Sequence, residues 1–416
     1  MFGILLSIIA TVLFALIVIG KKEDFHLWLI VFSFYLIYMT LTNLFVKNPL
    51  VDYFVSLDQL HLYEQTLSLS HESFKYIVDN TFGYAYIQTP LTYFTYAYIL
   101  KFAHFIGVTN DLYYLKLTVV FLGSLIFPIM AKIIRYYGYE GKQINKQIIL
   151  FAILSPILCF SCQIVRDAQI CLLFTLMFFV VVKPSLKFRW IWLVLLIVIT
   201  YFYRYENGLF SLLFVGLLIM KNIYQTKSIG NKMLLFIGVL VGVVVLLIYV
   251  ESVMTETFDA YNARSLENAD EGSLGAKLGQ LPFPFNVLGK TAFGQLFPFP
   301  CWAPLVGGQD YAFLRITECF FPFFWIPVLL SLFYSLVFLN KKIPSFFIIT
   351  ILFGFGYIIL TSSSAYDTRR VMAAYPMLYS IFLVILRTNK IPKDIYNKVT
   401  IFGLFALYLI YFILKG

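Results

Sequence analysis

Thr89-Pro-Leu-Thr-Tyr-Phe-Thr-Tyr-Ala-Tyr-Ile-Leu-Lys-Phe-Ala-His104 is the stretch whose reading decides the fold. It is apolar and nearly long enough to cross a bilayer, which takes roughly 20 helical residues. If it crossed, the basic segment 132–146 downstream would face outside, against the tendency of lysine and arginine to collect on the inner face. Its tyrosines and phenylalanines are residue types that gather at the membrane–water interface. The reading is therefore an amphipathic helix lying on the membrane surface. It belongs to a polar segment, residues 47–114, that opens with Ser56-Leu-Asp58-Gln-Leu-His61 and ends just past Asp111.

Outward from there the chain is membrane. Residues 2–19 form an apolar run with no basic stretch before it and Lys21 and Lys22 after it, so it reads as a retained helix with its N-terminus outside. Residues 25–45 return outward. Further runs fall at about 114–135, 148–164, 168–182, 190–203, 207–221, 233–250, 312–339, 344–361, 371–387 and 399–414, giving about 12 spans. The expected inner loops hold 18 of the 31 lysines and arginines but only Glu23, Asp24, Glu140 and Asp394 of the 21 acids. Composition agrees: 61% of the 416 residues are hydrophobic and 12% charged, where soluble domains carry about 25% charge. A net charge of +10 would suggest nucleic acid for a soluble protein; here it follows from the inner loops, and no nucleic-acid partner is expected. The expected fold class is all-α, a polytopic integral membrane protein with two large external loops. Residues 1–250 would form one transmembrane module containing the external loop 47–114. Residues 251–310 would be a second external loop, and 311–416 the C-terminal transmembrane helices.

That second loop starts acidic, Asn262-Ala-Arg-Ser-Leu-Glu-Asn-Ala-Asp-Glu-Gly-Ser-Leu-Gly275, and ends in Leu281-Pro-Phe-Pro-Phe285 and Phe297-Pro-Phe-Pro-Cys-Trp-Ala-Pro304. Prolines alternating with Phe cannot extend a helix, so this end reads as extended backbone on the membrane surface, over the site. Five cysteines, an odd number, argue against a disulfide framework. Cys159 and Cys162 have CxxC spacing but sit in an apolar helix and read as small buried residues. No His/Cys cluster has zinc-ligand spacing, and no metal site is assigned, a divalent metal staying possible. There is no HExxH, P-loop or GxSxG motif.

Four short external turns carry arginine beside or near a carboxylate: Arg166-Asp167, Arg204-Tyr-Glu206, Arg315-Ile-Thr-Glu318 and Asp367-Thr-Arg369-Arg370. Ionisable residues at membrane depth usually face the bundle interior or a wet cavity and mark function, although a structural ion pair is the plainer alternative. Arginine suits phosphate because its planar fork donates two parallel hydrogen bonds and it stays charged. A ligand that is half polyprenyl and half phosphate would need an apolar groove topped by guanidiniums. Asp58, just past a membrane exit, is the candidate general base for an acceptor hydroxyl; the plainer alternative is a helix cap or solvated acid.

The order of these features resembles the membrane glycosyltransferases of the GT-C class, which include protein O-mannosyltransferases, lipid A aminoarabinose transferases and oligosaccharyltransferases. The resemblance covers about residues 40–220 and rests on Asp58 opening the external segment, Thr89-Pro-Leu91, the helix 115–135 ending in a basic inner loop, Ser155-Pro156, and Arg166-Asp167. The chain departs from the pattern in having Asp58-Gln59 where relatives often have Asp-Glu, in an extra first helix, and in lacking a C-terminal soluble domain. The resemblance implies an inverting transfer from a polyprenyl-phosphate-linked sugar donor to a glycan or lipid acceptor on the outer face of a cell membrane, of bacterial inner-membrane type, in cell-surface glycan synthesis. Asp58 would be the base. Asp167 would orient the acceptor or Arg166. Arg166, Arg204 with Glu206, Arg369 and Arg370 would bind substrate and the leaving lipid phosphate. The oligosaccharide repeat-unit polymerases of O-antigen and capsule type are the alternative; their Arg-then-Gly spacing is matched by Arg264 and Gly275. A lipid-glycan transporter is the non-enzyme alternative, and predicts broken helices at the membrane midplane in paired halves.

Overall fold

The computed structural model of the chain describes residues 2–46, 57–83, 89–225, 278, 281–282, 285–296, 298–306, 312–339, 343–364, 368–388, 401–406 and 408–409. These are all-helical, with no strand among them. Among the described residues five helices are long and apolar enough to cross a membrane: Lys22–Phe45, Asp111–Tyr136, Phe313–Phe338, Ser345–Ser362 and Thr368–Arg387. Gly3–Ile19, Asp167–Val182 and Arg189–Tyr203 are shorter apolar helices. The span expected at 233–250, the boundary at residue 250 and Arg264 lie outside the described residues. The chain forms two compact units, Met1–Phe214 and Val215–Gly416.

The first unit begins with α1 (Phe2–Ile19) and α2 (Lys22–Phe45), turned at Gly20 with φ +76°, a conformation that favours glycine. Along α1, Leu5, Ile9, Leu13 and Ile17 are exposed, Ile17 by 79%, a stripe that only lipid or another apolar partner would cover. The polar segment folds into α3 (Leu57–Ser70), α4 (Phe74–Phe82) and α5 (Pro90–Phe105). Ser73 caps α4 by accepting from the Tyr76 N–H at 3.3 Å, and Pro90 starts α5, where its missing N–H costs no bond. The expected surface helix is α5. It is not among the apolar helices above, and it buries Tyr96, Ala97, Leu100 and Ala103. Leu62 of α3, Tyr96 and Leu100 share a core with Leu115, Val119, Ile164 and Ala168.

One long span is built from α6 (Asp111–Ser124) and α7 (Ile126–Tyr136). Next come α8 (Lys142–Leu154) and α9 (Ile157–Ser161), broken at Ser155, whose ψ of 153° is the extended conformation imposed on a residue before proline. The most deeply buried helix of the unit is α10 (Asp167–Val182); it is apolar on every side, as a central helix must be. Finally α11 (Arg189–Tyr203) turns sharply at Arg204 into α12 (Tyr205–Ser211), and α13 (Leu213–Gln225) continues the chain.

Hydrogen bonds along α2 fix the register of the bundle. Trp28 Nε1 donates to Ser124 Oγ at 2.8 Å and Tyr35 OH to the Ala152 carbonyl at 3.0 Å, while Lys116 Nζ donates to Asn43 Oδ1 at 3.0 Å. Thus α2 runs antiparallel to α6–α7. At one end, Arg135 forks onto the fully buried Asp24, with Nη1 3.1 Å from Oδ2, and its Nε lies 3.2 Å from Glu140. Lys21, Arg135 and Lys183 all lie within electrostatic reach of Lys132 at that end. The opposite end carries Asp58.

In the second unit Gln295, in helix Phe285–Leu296, accepts on Oε1 from Trp325 Nε1 (2.9 Å) and Tyr375 OH (3.1 Å). The Trp325 and Tyr375 rings lie 4.3 Å apart, tying Ile316–Phe338 to Tyr375–Thr388. The extended backbone expected over 281–304 is corrected: helix Phe285–Leu296 lies between the two proline runs, and bends at 298–300 lead into a short helix Ala303–Val306. Prolines bracket that helix rather than interrupt it.

Candidate functional site

Every candidate of the first unit lies at the Asp58 end. Asp58 sits in the first turn of α3 with its side chain exposed, where a carboxylate is favoured by the helix dipole. Arg166 is the N-cap residue of α10. Both lie within electrostatic reach of Tyr93 of α5. Burial raises the Tyr93 phenol above its ordinary range, while the charge of Arg166 pulls it down and that of Asp58 pushes it up. The phenol therefore stays a hydroxyl near neutral pH, within the fields of a carboxylate and a guanidinium that are 108 residues apart in sequence.

Gln59 fixes this junction. It is only 1% exposed, and its Oε1 accepts from the Ile164 N–H at 3.2 Å, which holds the start of α3 against the turn leading to Arg166. On the other side of that turn Gln169 is wedged under the start of α10. In the amide orientation that satisfies both ends, its nitrogen donates to the Val165 carbonyl at 2.8 Å and the Arg166 carbonyl at 3.1 Å, and its oxygen accepts from Tyr96 OH at 2.5 Å.

Behind the turn is a buried ion cluster. Arg204 is 4% exposed and extended (φ −165°, ψ 112°) between α11 and α12. Its Nη1 lies 3.5 Å from Asp167 Oδ1 and its Nε 3.2 Å from Glu206 Oε2. Both carboxylates open a helix, Asp167 on α10 and Glu206 on α12, so each also faces a positive dipole end. Asp167 is thus paired with Arg204, 37 residues on in the chain.

A further buried cation, missed in the sequence because it lies in an apolar span, is Lys116. It is 2% exposed and bound to Asn43 in the second turn of α6, where an ionisable group in a spanning helix is itself a functional signal. Nearby, His104 Nε2 lies 2.9 Å from Asp111 Oδ1, with His71 stacked on His104 at 5.3 Å. Tyr93, Tyr96 and Gln169 were also missed; Tyr93 and Tyr96 are three apart on α5 and share a helix face, the one signal that pointed to them. Farther along α5, some 14 Å from Tyr93 at about 1.5 Å per residue, an apolar groove of about 330 Å³ opens among Leu6, Phe14, Phe102, Ile106, Leu117 and Phe121.

Arg315 binds Glu318 within the second unit (Nη2 to Oε2 3.0 Å), the pairing its spacing suggested. Arg369 and Arg370 are partly buried in the short helix Thr368–Val371, which Tyr357 OH holds through the Arg370 carbonyl at 3.1 Å. Asp367 lies outside the described residues. Among the described residues no three His, Cys, Asp or Glu side chains come together to hold a metal ion. Cys159, Cys162 and Cys171 are buried in the first unit and are not in disulfides.

Comparison with known proteins returns no matching family model, no matching curated protein and no matching solved structure. The chemistry is therefore read from the residues themselves.

Proposed function

We propose that the protein is a multi-pass membrane glycosyltransferase of about 12 spans. It transfers a sugar from a polyprenyl-phosphate donor to a glycan or lipid acceptor at the external, Asp58 end of the bundle. What supports this most is the hydrogen bond from the Ile164 N–H to Gln59, which brings the helix start bearing Asp58 against the turn bearing Arg166, with both charges within electrostatic reach of Tyr93. In the reaction Asp58 takes the proton of the acceptor hydroxyl, the oxygen attacks the anomeric carbon, and the sugar–phosphate bond breaks with its electrons leaving on the lipid phosphate. Arg166 neutralises that phosphate, an electrostatic role of the kind that often dominates catalysis. The Tyr93 phenol, kept protonated by burial, would donate a further hydrogen bond. Arg204 is already engaged by two carboxylates and acts by positioning α10 and α12. The groove beside α5 offers an apolar bed for part of the prenyl chain.

The test is Asp58→Asn, which keeps shape and hydrogen bonding but removes the base. Transfer from a polyprenyl-linked donor in isolated membranes should fall by about 10²–10⁴-fold, the usual contribution of a general base, with normal insertion and donor binding. Near-normal transfer would remove Asp58 from the mechanism, and loss of product on Arg264→Ala in that case would favour the polymerase reading.

A further inference from the structure

The apolar groove of the first unit lies between α1 and α6, beside the end of α5. On α1 it passes Leu6, Ala10 and Phe14, one face of the helix, so it is about 12 Å long at about 1.5 Å per residue. The start of α1 lies against the end of α5: a Cβ at Gly3 would fall 3.0 Å from Val108 and 3.3 Å from the Ile106 carbonyl. The far end of the groove is closed by the rings of Phe14 and Phe121, whose centroids are 6.1 Å apart. Leu6, Phe14 and Phe102 are half-exposed, so one long side is open. Two wall hydroxyls are turned back on their own helices, Ser7 to the Gly3 carbonyl at 2.8 Å and Thr118 to the Tyr114 carbonyl at 3.2 Å. The space therefore suits hydrocarbon. An apolar cavity of about 150 Å³ takes one benzene ring, so about 330 Å³ takes about a dozen carbons. A helix, about 10–12 Å across, would need roughly three times that space over the same length, which leaves a single chain.

A trail of partly buried apolar side chains joins this groove to the Asp58 end. Tyr93 and Ile99 pack on the core of Tyr96, Leu100 and Leu115. Ile99 also packs on Ala103, Val108 and Tyr114, as does Ile106, which lines the groove. We infer, resting on the glycosyl-transfer reading, that α1 is a substrate-binding helix and that the groove sets a minimum length for the carrier's prenyl chain. A chain whose phosphate meets Arg166 runs past Tyr93, Ile99 and Ile106 and lays about a dozen carbons between α1 and α6. Tyr93 and Phe102 are about 14 Å apart along α5, so the first carbons only bridge that distance and a short carrier never enters. Beyond the groove a long chain leaves by the open side into the bilayer. Because lipid tails are as apolar as these walls, the groove holds the chain by packing. Ala10 is then decisive, since its small side chain leaves the space that the chain fills. α1 is also the helix by which the chain departs from the glycosyltransferases it resembles, so the resemblance gives it no role.

The experiment uses the full-length protein in nanodiscs with two probes, geranyl phosphate and undecaprenyl phosphate. Each probe is compared between wild type and variant, so that its own partition into the bilayer cancels. Ala10→Phe fills the groove from an exposed position of α1; Leu13→Phe adds a ring to the same helix away from it. Ala10→Phe should weaken undecaprenyl phosphate by about five- to a hundredfold, the range for forcing groups into an overpacked space, and leave geranyl phosphate and the melting temperature unchanged. Leu13→Phe should alter neither probe. Equal weakening of both probes by Ala10→Phe would mean a distorted bundle and overturn the groove assignment. Undecaprenyl phosphate binding that Ala10→Phe leaves intact would also overturn it, with glycosyl transfer still standing. Dioleoyl phosphatidate that competes as well as undecaprenyl phosphate, and is itself lost in Ala10→Phe, would show a seat for any bilayer chain and overturn the prenyl assignment. Wild-type protein that binds neither prenyl phosphate takes down the glycosyl-transfer reading and this inference with it.

Discussion

At the scale of the residue, Arg204 separates structure from chemistry. One guanidinium with two carboxylates, all under one-tenth exposed, is a buried ion cluster. Taking one partner from a buried pair costs about 3–5 kcal/mol, whereas exchanging the whole cluster for neutral groups is often close to neutral. Arg204→Met should therefore destabilise strongly, and Arg204→Met combined with Asp167→Asn and Glu206→Gln should recover much of the loss. Thermal unfolding in detergent measures both; a triple variant no more stable than the single one would show that the cluster does not act as a unit. Arg204→Lys should also be poor, because one ammonium cannot meet two carboxylates in the geometry of a fork. The sequence offered Asp167 as a group that orients the acceptor or Arg166; its pairing with Arg204, 37 positions on, depends on how α10 and α11 pack, which no local motif records.

At the scale of the element, the close approach of α6 and α9 sets where the turn with Gln163 and Arg166 sits. A Cβ at Gly123 would fall 2.1 Å from Ser161 Oγ, so only glycine allows this crossing. Small residues let helices approach closely where apolar packing against lipid gives no separate drive. Gly123→Ala should destabilise by about 1–3 kcal/mol, the range for overpacking, and adding Ser161→Gly should restore most of it. Melting curves of the two variants decide the point, and a Gly123→Ala that melts like wild type would mean the contact is not tight. The turns at Gly20 and Arg204 were legible, because glycine and a charged pair between apolar runs each leave a local mark, whereas the run read as one span over 148–164 is broken at Ser155-Pro156. The helices α3 and α4 were not. Their apolar residues are diluted by Asp, Gln, His, Glu and Lys, and the segment reads as a polar loop until α5 supplies the face against which Leu62 and Ile77 are buried. Asp58 accordingly opens a helix.

At the scale of the whole molecule, the sorting of charge toward two ends of the first unit was legible, because it is written in residue type rather than in contacts. The loops expected inside place Lys21, Lys132, Arg135 and Lys183 together at one end of the first unit, and the segments expected outside place Asp58, Asp111, Asp167 and Glu206 at the other. The ring pairs Phe74–Phe94, Phe82–Phe94 and Phe82–Phe202 bring α4 to the second end as well. Which end faces out is an expectation that rests on the positive-inside rule alone. Two exposed positions report on it: Lys75 on α4 and Gln143 at the start of α8. With the partly exposed Cys301 replaced by serine, Lys75→Cys should react with a membrane-impermeant maleimide in intact cells, and Gln143→Cys should react only after permeabilisation. The reverse pattern would turn the bundle over and put Asp58 and Arg166 on the inner side, where a donor presented at the outer face could not reach them. Labelling of both in intact cells would mean that α5 crosses the bilayer instead of lying on it, or that one of the spans between the two positions does not cross. The surface placement of residues 89–105 and the orientation of the site therefore stand or fall in a single measurement.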